Sequence, residues 1–208
     1  MAWPTLRTFA FRPREALMWI PRASDVARIA AACRAAGPRV VDVGAGTGLL
    51  ARLLADAGVR VEASDPAPAS PSFAPVARGA ADGLPSPVDA AIVSWMEAGK
   101  DYREAVARAA RVVVNAYDVE GGCGVAGAVD FAPYGFVEAA SWRAASFEDA
   151  AFALERPGRG LRRKGWPGSR VDVLTREPAL RDALARAVAE ARAGDPYPWE
   201  AEMERAGL

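Results

Sequence analysis

The fold is decided by one stretch, Val40-Val41-Asp42-Val43-Gly44-Ala45-Gly46-Thr47-Gly48. Its apolar run ends in three glycines at every second position, and the helix-forming residues 49–57 follow directly. A buried strand that leads through a glycine turn into a helix N-terminus makes a backbone cradle for a nucleotide-like ligand. The stretch therefore predicts an α/β domain that binds such a cofactor.

Composition and charge limit the classes of protein. The chain has 208 residues and 51% hydrophobic content, enough for one domain with a buried core. Its 26 basic and 26 acidic residues cancel, so the whole molecule offers no broad field for nucleic acid or an anionic membrane. The two cysteines, Cys33 and Cys123, have no paired spacing, which argues against a metal site and favours a reducing, cytoplasmic location. No secretion signal and no run of about 18 apolar residues is visible.

The absence of histidine excludes several kinds of catalysis. Serine and cysteine hydrolases that use a histidine base are excluded, as are enzymes with a histidine-bound metal. Lys100 and Lys164 are the only lysines, which removes most Schiff-base chemistry. The remaining chemistry depends on carboxylates, tyrosine, cysteine or positioning alone.

Strand and helix patterns alternate over most of the chain. Ser24-Asp25 is predicted to cap a helix that ends before Gly37-Pro38, and the proline-rich residues 66–75 predict an abbreviated crossover without a regular helix. The alternation predicts a parallel sheet with right-handed crossovers. The predicted strands are 40–43, 59–64, 76–78, 88–94, 111–116, 136–142 and 170–176, and the predicted helices are 24–36, 49–57, 100–110, 146–149 and 178–194.

Together these motifs resemble the class I S-adenosylmethionine-dependent methyltransferases over about residues 38–176. The resemblance is carried by Asp42–Gly48, Asp65 after the second strand, residues 79–85 after the third, residues 88–94 as the fourth, and Tyr134-Gly135-Phe136 before the sixth. It implies a three-layer, doubly wound α/β fold. Its seven-stranded sheet is mostly parallel, with one antiparallel strand inserted beside the fifth and helices on both faces.

The resemblance implies S-adenosylmethionine as cofactor, lying across the carboxyl ends of the first strands. Asp65 follows Gly44 by 21 residues, close to the spacing expected for an acid that binds ribose hydroxyls, although it could instead cap the turn at Pro66. Asp42 is expected either to accept turn amides or to place the amino-acid end of the cofactor. The predicted cofactor-binding residues are Asp42, Gly44, Ala45, Gly46, Gly48, Asp65, Pro66, Asp82 and Ser94.

One position departs from the family pattern. Many members have an acid or amide after the glycine at position 79, where it contacts adenine, but this chain has Ala80. Asp82 is the candidate substitute, and the alternative is an exposed loop aspartate.

The substrate side is less defined by sequence. Residues 94–97, Ser-Trp-Met-Glu, lack the motifs of enzymes that methylate base amines or cytosine C5. Methyl transfer from a sulfonium needs a base only when the nucleophile carries a proton, so histidine is dispensable. Glu97 and Glu120 are the candidate bases, with surface carboxylates as the alternative. Trp95, Tyr117 and Trp142 are the predicted substrate-binding residues.

A basic loop raises the possibility of a polymeric substrate. It contains no acid, and its cations are Arg156, Arg159, Arg162, Arg163, Lys164 and Arg170. These cations and Trp166 could contact RNA through phosphate pairing and stacking, although most charge runs are solvated faces. A small molecule is the favoured acceptor, and an RNA or protein acceptor is the alternative.

Two other functions remain open at this stage. An inactive methyltransferase-fold binding subunit is consistent with Ala80, and an NAD(P)-dependent oxidoreductase would need glycine at position 49, where the chain has Leu49. Three regions are predicted: an N-terminal arm and helix (1–36), the cofactor-binding domain (37–177), and a C-terminal helix and tail (178–208). The arm aromatics, including Trp3, Phe9, Phe11 and Trp19, are expected to form a lid or a subunit contact.

Overall fold

The computed structural model of the protein describes Trp19 and residues 21–70, 72–119, 123–124, 130–144 and 169–205. Several predicted features lie outside the described residues. They are the predicted helix at 146–149, the candidate base Glu120, the arm aromatics Trp3, Phe9 and Phe11, and the basic-loop residues before Arg170.

A seven-stranded sheet forms the centre of the described fold. The strands are β1 (Val40–Val43), β2 (Val61–Asp65), β3 (Ala77–Arg78), β4 (Val88–Ser94), β5 (Ala110–Asp118), β6 (Val137–Ala144) and β7 (Ser169–Thr175). Their spatial order is β3-β2-β1-β4-β5-β7-β6. The first five strands in this spatial order, from β3 to β5, pair in parallel. Strand β7 lies between β5 and β6 and is antiparallel to both. The predicted fold class, including the antiparallel strand beside the fifth, is confirmed.

Helices cover both faces of this sheet. Helices α1 (Ala23–Ala36), α2 (Leu49–Asp56), α4 (Pro178–Glu190) and α5 (Pro198–Arg205) contribute buried residues to the core on one face, and α3 (Arg103–Ala109) contributes to the core on the other. Central strands such as β4 consist mostly of small and β-branched apolar residues because both of their faces are largely buried. Buried residues of α1, α4 and α5 belong to one hydrophobic core cluster. The predicted region boundaries at 36/37 and 177/178 stay predictions.

The first helix begins differently from the prediction. It starts at Ala23, with Arg22 at the N-cap position, so the predicted cap at Ser24-Asp25 is wrong. Asp25 lies in the first turn, and its Oδ2 accepts the backbone N–H of Arg22 at 2.9 Å. The aspartate thus satisfies the helix end from inside the first turn rather than from the cap position.

The connection between β2 and β3 contains no helix among its described residues, as its prolines predicted. It folds back onto the glycine turn instead. The N–H of Ala69 donates to the carbonyl of Gly46 at 3.1 Å, and that of Phe73 donates to the carbonyl of Thr47 at 2.8 Å. The abbreviated crossover therefore supports the turn that precedes α2.

Candidate cofactor site

The glycine turn at the end of β1 needs residues without a side chain. Gly44, Gly46 and Gly48 have φ values of +72°, +51° and +68°, in the left-handed region that glycine adopts at little cost. A Cβ on Gly44 would lie 2.9 Å from the hydroxyl oxygen of Tyr102, and one on Gly48 would lie 2.9 Å from a methyl carbon of Val76. The turn is therefore shaped by both backbone conformation and close packing.

Asp65, at the end of β2, is bonded to the backbone through both carboxylate oxygens. Oδ2 accepts the N–H of Gly46 at 2.9 Å, and Oδ1 accepts the N–H of Ala67 at 2.7 Å, across Pro66. The second contact is the turn-capping role considered from sequence. Each carboxylate oxygen has a further lone pair, so these bonds leave room for ribose hydroxyls. Binding of ribose by Asp65 stays a prediction.

Asp42, on β1, is a buried carboxylate with an unsatisfied oxygen. It is 1% exposed, and its Oδ1 has no hydrogen-bond partner within the described chain. Burial, reinforced by the negative charge of Asp65, raises the pKa of Asp42 to about 7. An unpaired buried acceptor costs about 1–3 kcal/mol, and a cationic group would remove that cost.

A cavity opens above Asp42 and the glycine turn. The empty space in and above it is about 560 Å³, part of which is open solvent. It lies where open α/β sheets bind ligands, outside the carboxyl ends of β1 and β4. Its walls are formed by Trp19, Pro21, Asp42, Gly44, Ala45, Gly46, Thr47, Leu49, Leu50, Ser94 and Trp95.

Two tryptophans in this wall have unpaired indole groups. Trp19 is 4% exposed and precedes α1, while Trp95 directly follows β4. The Nε1–H groups of both are buried and have no partner in the described part of the chain. Trp95 also has a φ of +53°, which is rare for a bulky side chain and common at functional sites. The backbone N–H of Trp95 donates to the carbonyl of Ala116 at 2.7 Å.

The segment that carries Trp19 is tied to the C-terminal helix α5. The indole N–H of Trp199 donates to the carbonyl of Pro21 at 2.9 Å. Oε1 of Glu200 accepts the backbone N–H of Ala23 at 2.7 Å and so satisfies the N-terminus of α1 from the far end of the chain. Residues of α5 thereby hold one wall of the cavity.

Solved structures similar to this chain include a methyltransferase. Magnesium protoporphyrin IX methyltransferase from Synechocystis PCC 6803, with bound S-adenosylmethionine, is 16% identical, with a TM-score of 0.50 over 74% of this chain and 79% of that one. The fold is that of the class I methyltransferases. A putative RNA methyltransferase, PH1948 from Pyrococcus horikoshii, is 15% identical over 74% of this chain and 82% of its own, and we infer nothing from its TM-score of 0.43. No protein-family model and no curated protein sequence matches the chain.

The methyltransferase fold brings several predicted cofactor residues together. Asp42, Gly44, Ala45, Gly46, Ser94 and the predicted substrate residue Trp95 all line the cavity. Three other predicted residues do not line the cavity: Gly48, which lies in the glycine turn, and Asp65 and Pro66, which follow β2 beside it. Their roles in binding stay predictions.

The chain has alanine at position 80, where many class I methyltransferases have an acid or amide. Ala80 is exposed, and Asp82 is an exposed loop residue with a carboxylate oxygen 3.9 Å from the guanidinium of Arg108. Asp82 does not line the cavity. Its contact with adenine stays a prediction.

The other predicted substrate residues lie apart from the cavity wall. The hydroxyl of Tyr117 donates to Asp172 Oδ2 at 2.8 Å, and the indole N–H of Trp142 donates to Asp25 Oδ1 at 2.8 Å. The Trp142 ring also lies under the guanidinium of Arg28, at 5.5 Å. Both side chains are therefore held by polar partners of the scaffold. Glu97 is exposed in the loop after β4.

Arg170 is the one cation of the predicted basic loop that the structure describes. Its Nε donates to Asp172 Oδ1 at 2.8 Å and a terminal nitrogen donates to Glu138 Oε2 at 2.9 Å. These bonds raise the pKa of Arg170. Its positive charge is thus paired with carboxylates of β6 and β7.

Sequence patterns missed Tyr102, which is partly buried and packs against the core beside the turn. Burial and the negative charges of Asp42 and Asp65 raise the pKa of Tyr102, so it stays protonated. A tyrosine shortly before a helix gives no periodic signal. Its contact with Gly44 arises only when the sheet brings the two loops together.

The described residues contain neither a metal-binding cluster nor a helix suited to a membrane. No group of three histidine, cysteine, aspartate or glutamate side chains in the described ranges is arranged to hold a metal ion. No helix in the same ranges combines the length and apolarity needed to cross a membrane.

Proposed function

We propose that this protein is an S-adenosylmethionine-dependent methyltransferase whose acceptor is a small molecule. The observation that carries the proposal is the buried Asp42, whose Oδ1 has no partner among the described residues, in the wall of a cavity at the glycine turn. A carboxylate in this position has a use if a ligand brings an ammonium group to it. The fold, which is that of the class I methyltransferases, supports the donor but does not by itself establish activity.

The residues present fit this donor at three points. The backbone of Gly44 and Gly46, which carry no side chain, would lie against the adenosyl group. Asp65 would accept the ribose hydroxyls with its remaining lone pairs, and Asp42 would pair with the amino-acid ammonium. When bound, the donor supplies an electrophilic methyl group on a sulfonium.

Positioning is the main task left to the protein. An in-line displacement depends on holding the acceptor close to the methyl carbon, and the walls formed by Trp95 and Ser94 would exclude water there. A base is needed only for an acceptor that carries a proton, and Glu97, just beyond β4, is the candidate among the described residues.

Two observations favour a small acceptor over a polymer. The cavity is a small concave site lined by residues of the glycine turn and the β4 exit, and no extended groove is described beside it among the described residues. Arg170, which could have contacted phosphates, is already paired with Asp172 and Glu138. An RNA or protein acceptor is therefore the second candidate, to be judged by assay.

Calorimetric titration of the purified protein tests the donor. We expect S-adenosylmethionine and S-adenosylhomocysteine to bind and NAD(P) not to bind. Transfer from methyl-labelled donor is then measured over separate metabolite, RNA and protein pools, with label expected in the metabolite pool. Binding without transfer would identify an inactive binding subunit, label in RNA or protein would identify a polymer acceptor, and no donor binding would refute the proposal.

A further inference from the structure

We infer that the methyl acceptor is a small aliphatic amine and that the hydroxyl of Tyr102 orients its nitrogen by a direct hydrogen bond. The inference rests on the proposed function and deepens it by naming an acceptor class and a residue that contacts the acceptor. Three properties of the Tyr102 hydroxyl carry it: its place beside the glycine turn, its lack of a partner, and the acids around it.

The Tyr102 hydroxyl reaches the glycine turn from the α3 face of the sheet. Its oxygen is 2.9 Å from the place that a Cβ on Gly44 would take. The ring packs against the core cluster of the α3 face, whereas Trp19 and Leu50 of the cavity wall belong to the cluster of the other face. The proposed donor has its adenosyl group along the glycine turn and its ammonium at Asp42, so the sulfonium that joins them would lie next to this hydroxyl.

The same hydroxyl is unpaired and open to a ligand. No hydrogen bond joins it to another residue of the described chain. Tyr102 is only partly buried, and the fully buried unpaired atoms of the described residues do not include its hydroxyl. A ligand atom can therefore approach this oxygen, which is able both to donate and to accept a hydrogen bond.

The loop between β4 and α3, which carries Tyr102, is fixed by backbone bonds. The N–H of Gly124 donates to the carbonyl of Met96 at 2.8 Å, and the N–H of Gly99 donates to the carbonyl of Gly124 at 2.8 Å. The carbonyl of Tyr102 accepts the N–H of Val106 at 3.1 Å, which begins α3. A group held in this way loses little conformational freedom when an acceptor arrives.

The charges nearest this hydroxyl favour a cation over an anion. Burial, and then the negative charges of Asp42 and Asp65, raise the pKa of Tyr102, with a smaller effect from Glu97. A field that keeps the proton on this phenol also disfavours a phenolate or carboxylate acceptor at the same place. No arginine or lysine lines the described cavity wall, and Lys100, in the same loop as Tyr102, is exposed to solvent.

Methyl transfer to an amine suits such a field. The nitrogen lone pair attacks the methyl carbon, the carbon–sulfur bond breaks, and its electron pair goes to sulfur. The positive charge thus moves from sulfur to nitrogen, where the nearby carboxylates stabilise it. An N–H of the amine would donate to the Tyr102 oxygen, which leaves the lone pair free to face the methyl carbon. An amine that arrives as an ammonium first gives one proton to a base, for which Glu97 is the candidate among the described residues.

The test compares two ligands that differ at the reacting centre. S-Adenosylhomocysteine has a neutral sulfur there, whereas sinefungin has a carbon that bears an ammonium group in the place of the transferred methyl. In calorimetry, we expect the unaltered protein to bind sinefungin about tenfold more tightly than S-adenosylhomocysteine. Tyr102→Phe keeps the ring and removes only the hydroxyl. It should bind sinefungin about 3- to 10-fold more weakly and S-adenosylhomocysteine with unchanged affinity.

Tyr134→Phe is the matched control, because Tyr134 is also partly buried against the core cluster of the α3 face. It should leave both affinities unchanged. Transfer from methyl-labelled donor is then measured over separate panels of aliphatic amines, phenols and carboxylic acids, and we expect label in the amines. With the amine that accepts label fastest, Tyr102→Phe should lower kcat about 3- to 10-fold without a change in donor affinity.

Three results would overturn the inference while leaving the proposed function intact. The first is equal affinity of the unaltered protein for sinefungin and S-adenosylhomocysteine. The second is an equal loss of sinefungin affinity in Tyr102→Phe and Tyr134→Phe, and the third is label in phenols or carboxylic acids with none in amines. Failure of the unaltered protein to bind either S-adenosylmethionine or S-adenosylhomocysteine would instead overturn the proposed function, and the inference with it.

Discussion

Replacing Asp42 with asparagine should stabilise the ligand-free protein at neutral and alkaline pH. Asp42 is buried, and its pKa lies at about 7 instead of near 3.8 because burial disfavours the charged form. The folded state therefore holds this proton more tightly than the unfolded state does. Ionisation of Asp42 opposes folding, and asparagine, which is nearly the same size, cannot ionise.

The sign and size of the effect follow from linkage between protonation and folding. Stability associated with the protonated carboxyl is fully present below pH 3.8, is lost as the pH rises to about 7, and changes no further above that. A rise in pKa from 3.8 to about 7 corresponds to about 4 kcal/mol in the free energy of unfolding. Asp42→Asn should thus match the unaltered protein near pH 4 and exceed it by up to about 4 kcal/mol at pH 8.

Urea denaturation at several pH values between 4 and 8, followed by circular dichroism without donor, measures this difference. Asp56→Asn is the matched control, because Asp56 is exposed and pairs with Arg52, four residues earlier, at 3.0 Å. The control should change the free energy of unfolding by less than about 0.5 kcal/mol at every pH. Parallel pH profiles for Asp42→Asn and the unaltered protein, or a less stable variant at pH 8, would refute the reasoning.

Three further predictions concern the same site. Asp65→Asn should weaken donor binding about tenfold or more in calorimetry, since the carboxylate supports the turn and would bind ribose; unchanged affinity would remove its proposed role. Gly44→Ala should abolish donor binding because its Cβ would meet the hydroxyl of Tyr102, whereas Gly58→Ala, with a similar φ but open space around it, should cost only about 1 kcal/mol of stability; equal thermal shifts and equal binding in the two variants would contradict this. Trp199→Phe should remove the N–H bond to Pro21, leave a small void in the core because phenylalanine is smaller than tryptophan, and weaken donor binding several-fold by releasing the Trp19 segment; a variant with normal affinity would show that this tie has no effect on the site.

The sheet was predictable because its strands have strong local signals. The fourth strand was predicted at 88–94 and is found at Val88–Ser94, since a run of small and β-branched residues bounded by Pro87 and Trp95 suits a strand buried on both faces. The short third strand and the helix-free crossover also followed from local composition, because proline limits what a segment can form.

The parts of the site that sequence could not supply come from distant contacts. The bond from Trp199 to Pro21 joins residues 178 positions apart, and no periodicity encodes it. The indole N–H groups of Trp19 and Trp95 have no partner among the described residues, and this depends on how all the surrounding side chains pack. The glycine turn was found from sequence because its backbone needs are local, while the walls above it are assembled by tertiary packing.

The bond between Glu200 and Ala23 has a consequence for the order in which the protein is built. The first helix of the described chain is finished by a residue that the ribosome adds 177 positions later. Until then, neither this bond nor the bond from Trp199 to Pro21, two residues after Trp19, can form. We therefore expect a nascent polypeptide stalled before residue 198 to contain most of the sheet yet fail to retain S-adenosylhomocysteine, so that the donor stabilises the completed chain and not its synthesis intermediates.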